Sequence, residues 1–137
     1  MKLLIAFLIT LAMLQGENMI KLRFDGQEIL VKMDNSTSAK SFLALLPLKV
    51  KAEDYAGKEK IFSIPRRLET GAGDGANYNP QIGDLFYFSP WGNIGIFYDK
   101  QPPYNGLIRL GILQGADSVS KLKAQKSDFE LEILRAE

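Results

Sequence analysis

Arg66 and Arg67 form the only adjacent arginine pair in the chain. Two neighbouring guanidiniums can grip a carboxylate or a carbonyl through paired N–H donors. The competing reading is one solvated arginine and one paired with Glu69 or Asp84, as surface charges often are. Trp91 is the single tryptophan and sits in a Ser-Pro-Trp-Gly-Asn turn. An aromatic ring there either stacks on a ligand or proline ring, or covers a barrel end, and packing is the commoner role. Phe86, Phe88, Phe97 and Tyr98 lie on the two runs beside that turn. Arg66, Arg67, Phe88, Trp91 and Tyr98 are the residues that the sequence offers as ligand contacts.

The chain contains no cysteine and no histidine. Cysteine nucleophiles, disulfides, Cys/His zinc sites and Ser-His-Asp triads are thereby excluded. Acid–base chemistry would fall to Asp, Glu, Lys or Tyr with a shifted pKa. Gly71-Ala72-Gly73-Asp74-Gly75 is glycine-rich, but no Gly-Lys-Ser/Thr and no helix follow, as a phosphate loop needs. Asp74, Asn77 and Asn79 could meet calcium, yet the closing glutamate of an EF-hand loop is missing. No catalytic residue, metal ligand or cofactor is assigned. The 17 basic and 16 acidic residues leave a net charge of +1, with no basic surface suited to nucleic acid.

The central stretch Gly83–Asp99 reads as a β-hairpin. Its apolar runs Leu85–Phe88 and Ile94–Tyr98 flank the turn, and aromatic and β-branched residues suit a pleated, half-buried surface. Alternation sends Phe86 and Phe88 to one face, and Leu85 and Tyr87 to the other. Before it, Ile20, Leu22 and Phe24 alternate with charged residues, and Asp25-Gly26 predicts a tight turn into a strand over Gln27–Met33. Asp34–Ser38 is rich in N-cap residues and predicts a helix over Ala39–Leu46, stopped by Pro47 and plugging one end of the sheet. Strands follow at Leu48–Glu53 and Glu59–Ile64, with a turn over Asp54–Lys58. Arg66–Gln81 has no apolar periodicity and reads as a long ordered loop of the functional or mobile kind. Asp99–Gly106 is a second loop, Leu107–Leu113 a strand, Asp117 the cap of a short helix, and Phe129–Leu134 the closing strand. About eight strands and two short helices in one domain point to a barrel or sandwich rather than a βαβ fold.

The N-terminus has its own pattern. Lys2 precedes Leu3–Leu14, apolar but for Thr10. That run matches the core of a secretory signal and is too short to span a bilayer comfortably. Residues 1–18 are therefore expected to be an export signal with a weak cleavage site, followed by one domain over 19–137. The protein is then secreted or periplasmic, without a stable membrane anchor. An N-terminal core helix, or a cytoplasmic chain starting at Met19, is the competing reading.

The stretches IKLRFDGQEI, SFLALLPL, EDYAGKEKIFSIPRRL, GDLFYFSPWGNIGIFY and LIRLGIL together resemble the bacterial cyclophilin-like domain family, small proteins mostly of unassigned function. They fall in this order within Met19–Glu132, the span of the resemblance. The resemblance implies a mainly β architecture, a closed cyclophilin-like barrel of about eight strands capped by short helices. The Phe-His-Arg and Gln-Gly-Gly segments of true cyclophilin isomerases do not occur here, so those catalytic residues cannot be transferred. Two functions remain open. One is a non-catalytic module that holds a peptide or small ligand against the hairpin face and the Arg66–Gln81 loop. The other is a peptidyl-prolyl isomerase, a reaction that needs only an apolar proline pocket, here Phe88 and Trp91, and a donor such as Arg66 or Arg67 to weaken amide resonance. The ligand and the oligomeric state are not encoded in any motif.

Overall fold

A computed structural model describes residues 18–136. The expected export segment falls outside the described residues, except for Asn18. Eight antiparallel strands close into one barrel. They are β1 (Met19–Phe24), β2 (Gln27–Met33), β3 (Leu48–Tyr55), β4 (Glu59–Phe62), β5 (Asp84–Phe88), β6 (Asn93–Phe97), β7 (Leu107–Leu113) and β8 (Phe129–Arg135). The order around the barrel is β1-β2-β7-β5-β6-β4-β3-β8. Closure leaves no strand with an unpaired edge, which suits a chain this rich in apolar strands.

Two turns account for much of the local register. Asp25 and Gly26 take φ of 50° and 68°, and Ala56 and Gly57 take 57° and 66°. Two successive left-handed residues form the tight turn whose twist matches antiparallel strands. It pairs Phe24 with Gln27 and Tyr55 with Glu59. The period-two residues then fill the interior: Ile20, Leu22, Val31, Leu85, Ile94, Ile96, Leu110, Leu131 and Ile133 are fully buried in one cluster.

Helix α1 (Thr37–Leu43) begins two residues earlier than the apolar pattern suggests. The Ser36 hydroxyl accepts from the Ala39 amide at 3.1 Å and fixes the start. Leu45 and Leu46 bond three residues back, to Phe42 and Leu43, so the last turn tightens ahead of Pro47. Ala39 and Phe42 join the barrel core. In α2 (Ser118–Lys123), Asp117 stands at the N-cap without a capping bond. The Ser118 hydroxyl donates to the Gln114 carbonyl instead, and the Asp117 carboxylate pairs with Lys121 at 3.4 Å.

Residues 63–83 form the long connection. Leu68 is buried and its amide donates to the Tyr87 hydroxyl at 3.3 Å. One carboxylate oxygen of Asp74 accepts from the Ser38 amide at 3.1 Å, the Ser38 hydroxyl at 2.5 Å and the Gly71 amide at 2.9 Å. Those bonds hold the Asp74 carboxyl below its ordinary range. At the far end, buried Asp84 accepts from the Tyr78 hydroxyl at 2.6 Å and the Gln81 amide at 2.9 Å. An anchored apolar side chain and two satisfied carboxylates keep this loop against the barrel.

Candidate functional site

Alternation gives the wall β3-β4-β6-β5-β7 two used faces. Leu85, Tyr87, Ile94 and Ile96 face the interior, and Phe86, Phe97 and Leu107 form a second buried cluster outside it. Phe86 and Phe97 stack at 4.0 Å and 14°. Phe86 lies flat across its strand neighbour Gly95, where a Cβ would sit 2.3 Å from its ring. Only glycine leaves room for that ring.

An open cavity of about 270 Å³ rests on this outer cluster. Its walls come from six places. Tyr55 ends β3 and Glu59 opens β4, directly opposite each other across the turn. Asn93 comes from β6 and Phe88 from β5, also paired. Trp91 comes from the turn between them. Gln101, Pro102 and Tyr104 come from the connection that follows β6.

The rings meet as walls rather than as a pile. Trp91 stands at 82° to Tyr55 and at 76° to Phe88, and Phe88 at 69° to Tyr104, with centroids 5.3–5.6 Å apart. Trp91 is 56% exposed and Tyr104 68% exposed. These are large apolar surfaces left open to solvent beside a concavity.

Glu59 is the buried polar group of the site, at 8% exposure. The Gln101 amide donates to its Oε2 at 3.1 Å, and no other bond or ion pair reaches the carboxylate among the described residues. Burial, with the Asp54 charge, pushes its pKa above the ordinary value against the effect of Gln101. The Asn93 Oδ1 is buried without a hydrogen-bond partner among the described residues. Among the described residues the lining holds no lysine and no arginine, so its one formal charge is negative.

Of the residues offered by the sequence, Phe88 and Trp91 line this cavity. Tyr98 does not, because it shares inward parity with Ile94 and Ile96. Its hydroxyl donates to Asp54, and the Lys60 ammonium lies 5.3 Å from its ring centroid. Lys60 is buried and also donates to the Gln125 carbonyl at 2.6 Å. Burial and the Asp54 carboxylate push the Tyr98 hydroxyl up to about 12. Burial alone would raise the Asp54 pKa, but bonds from Tyr98, Lys60 and Gly57 outweigh it and leave it lowered.

Neither arginine touches the cavity. Arg67 donates to the Ser89 carbonyl at 2.7 Å and lays its guanidinium against Gly92, bracing the turn that carries Trp91. Arg66 is exposed and makes no ion pair among the described residues. The expected pairing with Glu69 or Asp84 does not form: the Glu69 amide bonds Ser41, and Asp84 is engaged by Tyr78 and Gln81. The Arg66–Gln81 loop contributes no lining residue. The shorter connection after β6 takes that place. Glu59, Tyr55, Gln101 and Tyr104 were missed from the sequence, although the strand-opening position of Glu59 opposite Phe97 puts it on the same outward face.

A family model described as Cyclophilin-like family matches residues 22–134. Among solved structures, the hypothetical protein AF2241 from Archaeoglobus fulgidus superposes with a TM-score of 0.69 at 20% identity, over 89% of this chain and 97% of that one. McbB, solved in complex with tryptophan, superposes with a TM-score of 0.59 at 14% identity, over 85% of this chain and 44% of McbB. At these identities the likeness is one of fold. No curated protein matches.

Proposed function

The chain belongs to the cyclophilin-like family, and from that premise we propose that it is a non-catalytic binding module. Its ligand is a small molecule or one side chain of a peptide, seated in the cavity on the outer face of the barrel wall. The observation that carries this reading is the set of four rings, from Tyr55, Phe88, Trp91 and Tyr104, held at steep angles around an open space. The Arg67 guanidinium bonds the Ser89 carbonyl in the turn that carries Trp91.

The isomerase reading is less well supported. Its donor must point into the proline pocket, whereas the Arg67 guanidinium is turned to Ser89 and the buried polar group of the cavity, Glu59, is an acceptor. A protease-coupled assay on a proline peptide separates the two functions. The binding reading expects no acceleration over background.

The direct test is a fragment screen by NMR with a chemically diverse set. Hits are expected to shift the Trp91 indole and the Gln101 side-chain amide together. Hits that leave both signals in place would remove the proposal. Export belongs to the same reading and rests on the apolar run Leu3–Leu14. An intact chain retaining Met1, found by mass measurement in the cells and not outside them, would exclude it.

A further inference from the structure

Resting on the binding reading above, we infer that the cavity takes an organic cation, a methylated ammonium group, held between the rings of Tyr55, Phe88, Trp91 and Tyr104 and the carboxylate of Glu59. The argument starts from the carboxylate. A buried anion without a cation is costly, and Glu59 has only one neutral amide donor, from Gln101. Lys60 is its chain neighbour but points to the opposite side of the sheet, where it serves Asp54 and Gln125. Nothing in the lining supplies the missing positive charge. A cation entering the cavity completes the pair.

The rings specify what kind of cation. Aromatic faces attract positive charge through their quadrupoles, and four rings set at steep angles to one another line this one space. A primary ammonium brings three N–H donors that each need an acceptor. A methylated ammonium brings few or none and spreads its charge over methyl groups that pack on rings. Walls of four rings over the Phe86–Phe97 floor, with the Glu59 carboxylate and the Asn93 Oδ1 as the buried acceptors, offer more aromatic surface than acceptors and match the second. The same chemistry comes as a free quaternary amine or as a methylated lysine on a peptide.

Two matched probe pairs test it. Choline is compared with 3,3-dimethyl-1-butanol, its uncharged isostere. A peptide bearing trimethyl-lysine is compared with the same peptide bearing a neutral tert-butyl analogue. The expected result is that the charged member of at least one pair binds about tenfold more tightly, read from Trp91 fluorescence or calorimetry. Preference confined to the peptide pair identifies the side-chain source, and preference within the choline pair the free amine. Glu59→Gln keeps the shape and is expected to reduce the preference for the charged member several-fold, leaving the part that the rings supply. Tyr104→Leu, at an exposed position, is expected to weaken the charged member more than the neutral one. Equal binding of charged and neutral members overturns the cation inference and leaves the binding module standing. Failure of all four probes, with fragment hits still shifting Trp91, overturns it as well. Failure of every ligand to reach Trp91 removes the binding module with it.

Discussion

Gly95→Ala tests the packing under the cavity. The new methyl would lie 2.3 Å from Phe86 Cζ, 2.7 Å from Cε1 and 3.1 Å from Ile61 Cγ2. To restore ordinary contact, the Phe86 ring must retreat by about 1 Å. Its retreat breaks the parallel stack on Phe97. Overpacking of this kind costs about 1–3 kcal/mol, and the lost stack adds about 0.5–1.5 kcal/mol. Against this, replacing a strand glycine returns about 0.5–1 kcal/mol of backbone entropy. The net expectation is a destabilisation of about 2 kcal/mol. With a slope of about 1–3 kcal/mol per molar urea, the midpoint falls by about 1 M. Urea denaturation followed by far-UV circular dichroism reads the shift. The mechanism is isolated by adding Phe86→Leu, which removes the obstructing ring edge. The double variant is expected to be more stable than the two single losses predict, because the clash is absent from it. Simple additivity, or a neutral Gly95→Ala, would refute the claim that glycine is there to admit the ring.

Asp74→Asn is expected to cost about 1–3 kcal/mol, since three donors converge on one charged oxygen. The folded pKa of Asp74 is lowered. Its contribution is therefore present above the unfolded carboxylate range and lost as pH falls through the depressed folded value, and an acid titration of stability should lose this limb in the variant. Glu59 has the opposite sign, because its folded pKa is raised. Its favourable contribution is complete below the unfolded value and is lost as pH rises through the folded one, so ligand-free Glu59→Gln should gain on the wild type at neutral pH and match it in acid. Trp91→Ala is expected to cost only about 1 kcal/mol in urea denaturation, because the ring is half exposed, yet to abolish fragment binding by NMR. Arg67→Ala frees the turn and should weaken the same fragments a few-fold without touching them, a change of about 1 kcal/mol in titration.

The barrel was readable because its strands bury one set of alternate residues. β2 and β7 occupy the ranges that alternation and turn residues predict, Gln27–Met33 and Leu107–Leu113. The helix start was misplaced because Ser36, one of several capping residues in a row, is selected by its bond to Ala39. The site divides in the same way. Phe88 and Trp91 could be found because the hairpin is local. Tyr98 was put with them although two steps from Ile96 carry it to the inner face. Glu59 reads as an ordinary charged residue at a strand end. Its burial comes from Gln101 and Tyr104, more than forty positions away in a connection without periodicity. Pairing of that kind leaves no trace in local spacing. The arginine pair was conspicuous for its composition, but one side chain serves a main-chain carbonyl and the other meets solvent.

The cup hangs on the exterior of a cylinder whose lumen is plugged solid. Tyr55, Glu59 and Tyr104, which the proposed binding role would use to choose a guest, line the outer face, and the side chains that fill the lumen belong to the other face. Substitutions at the rim can redraw its shape while the staves stay sealed. Relatives built on the same cylinder need not share a ligand.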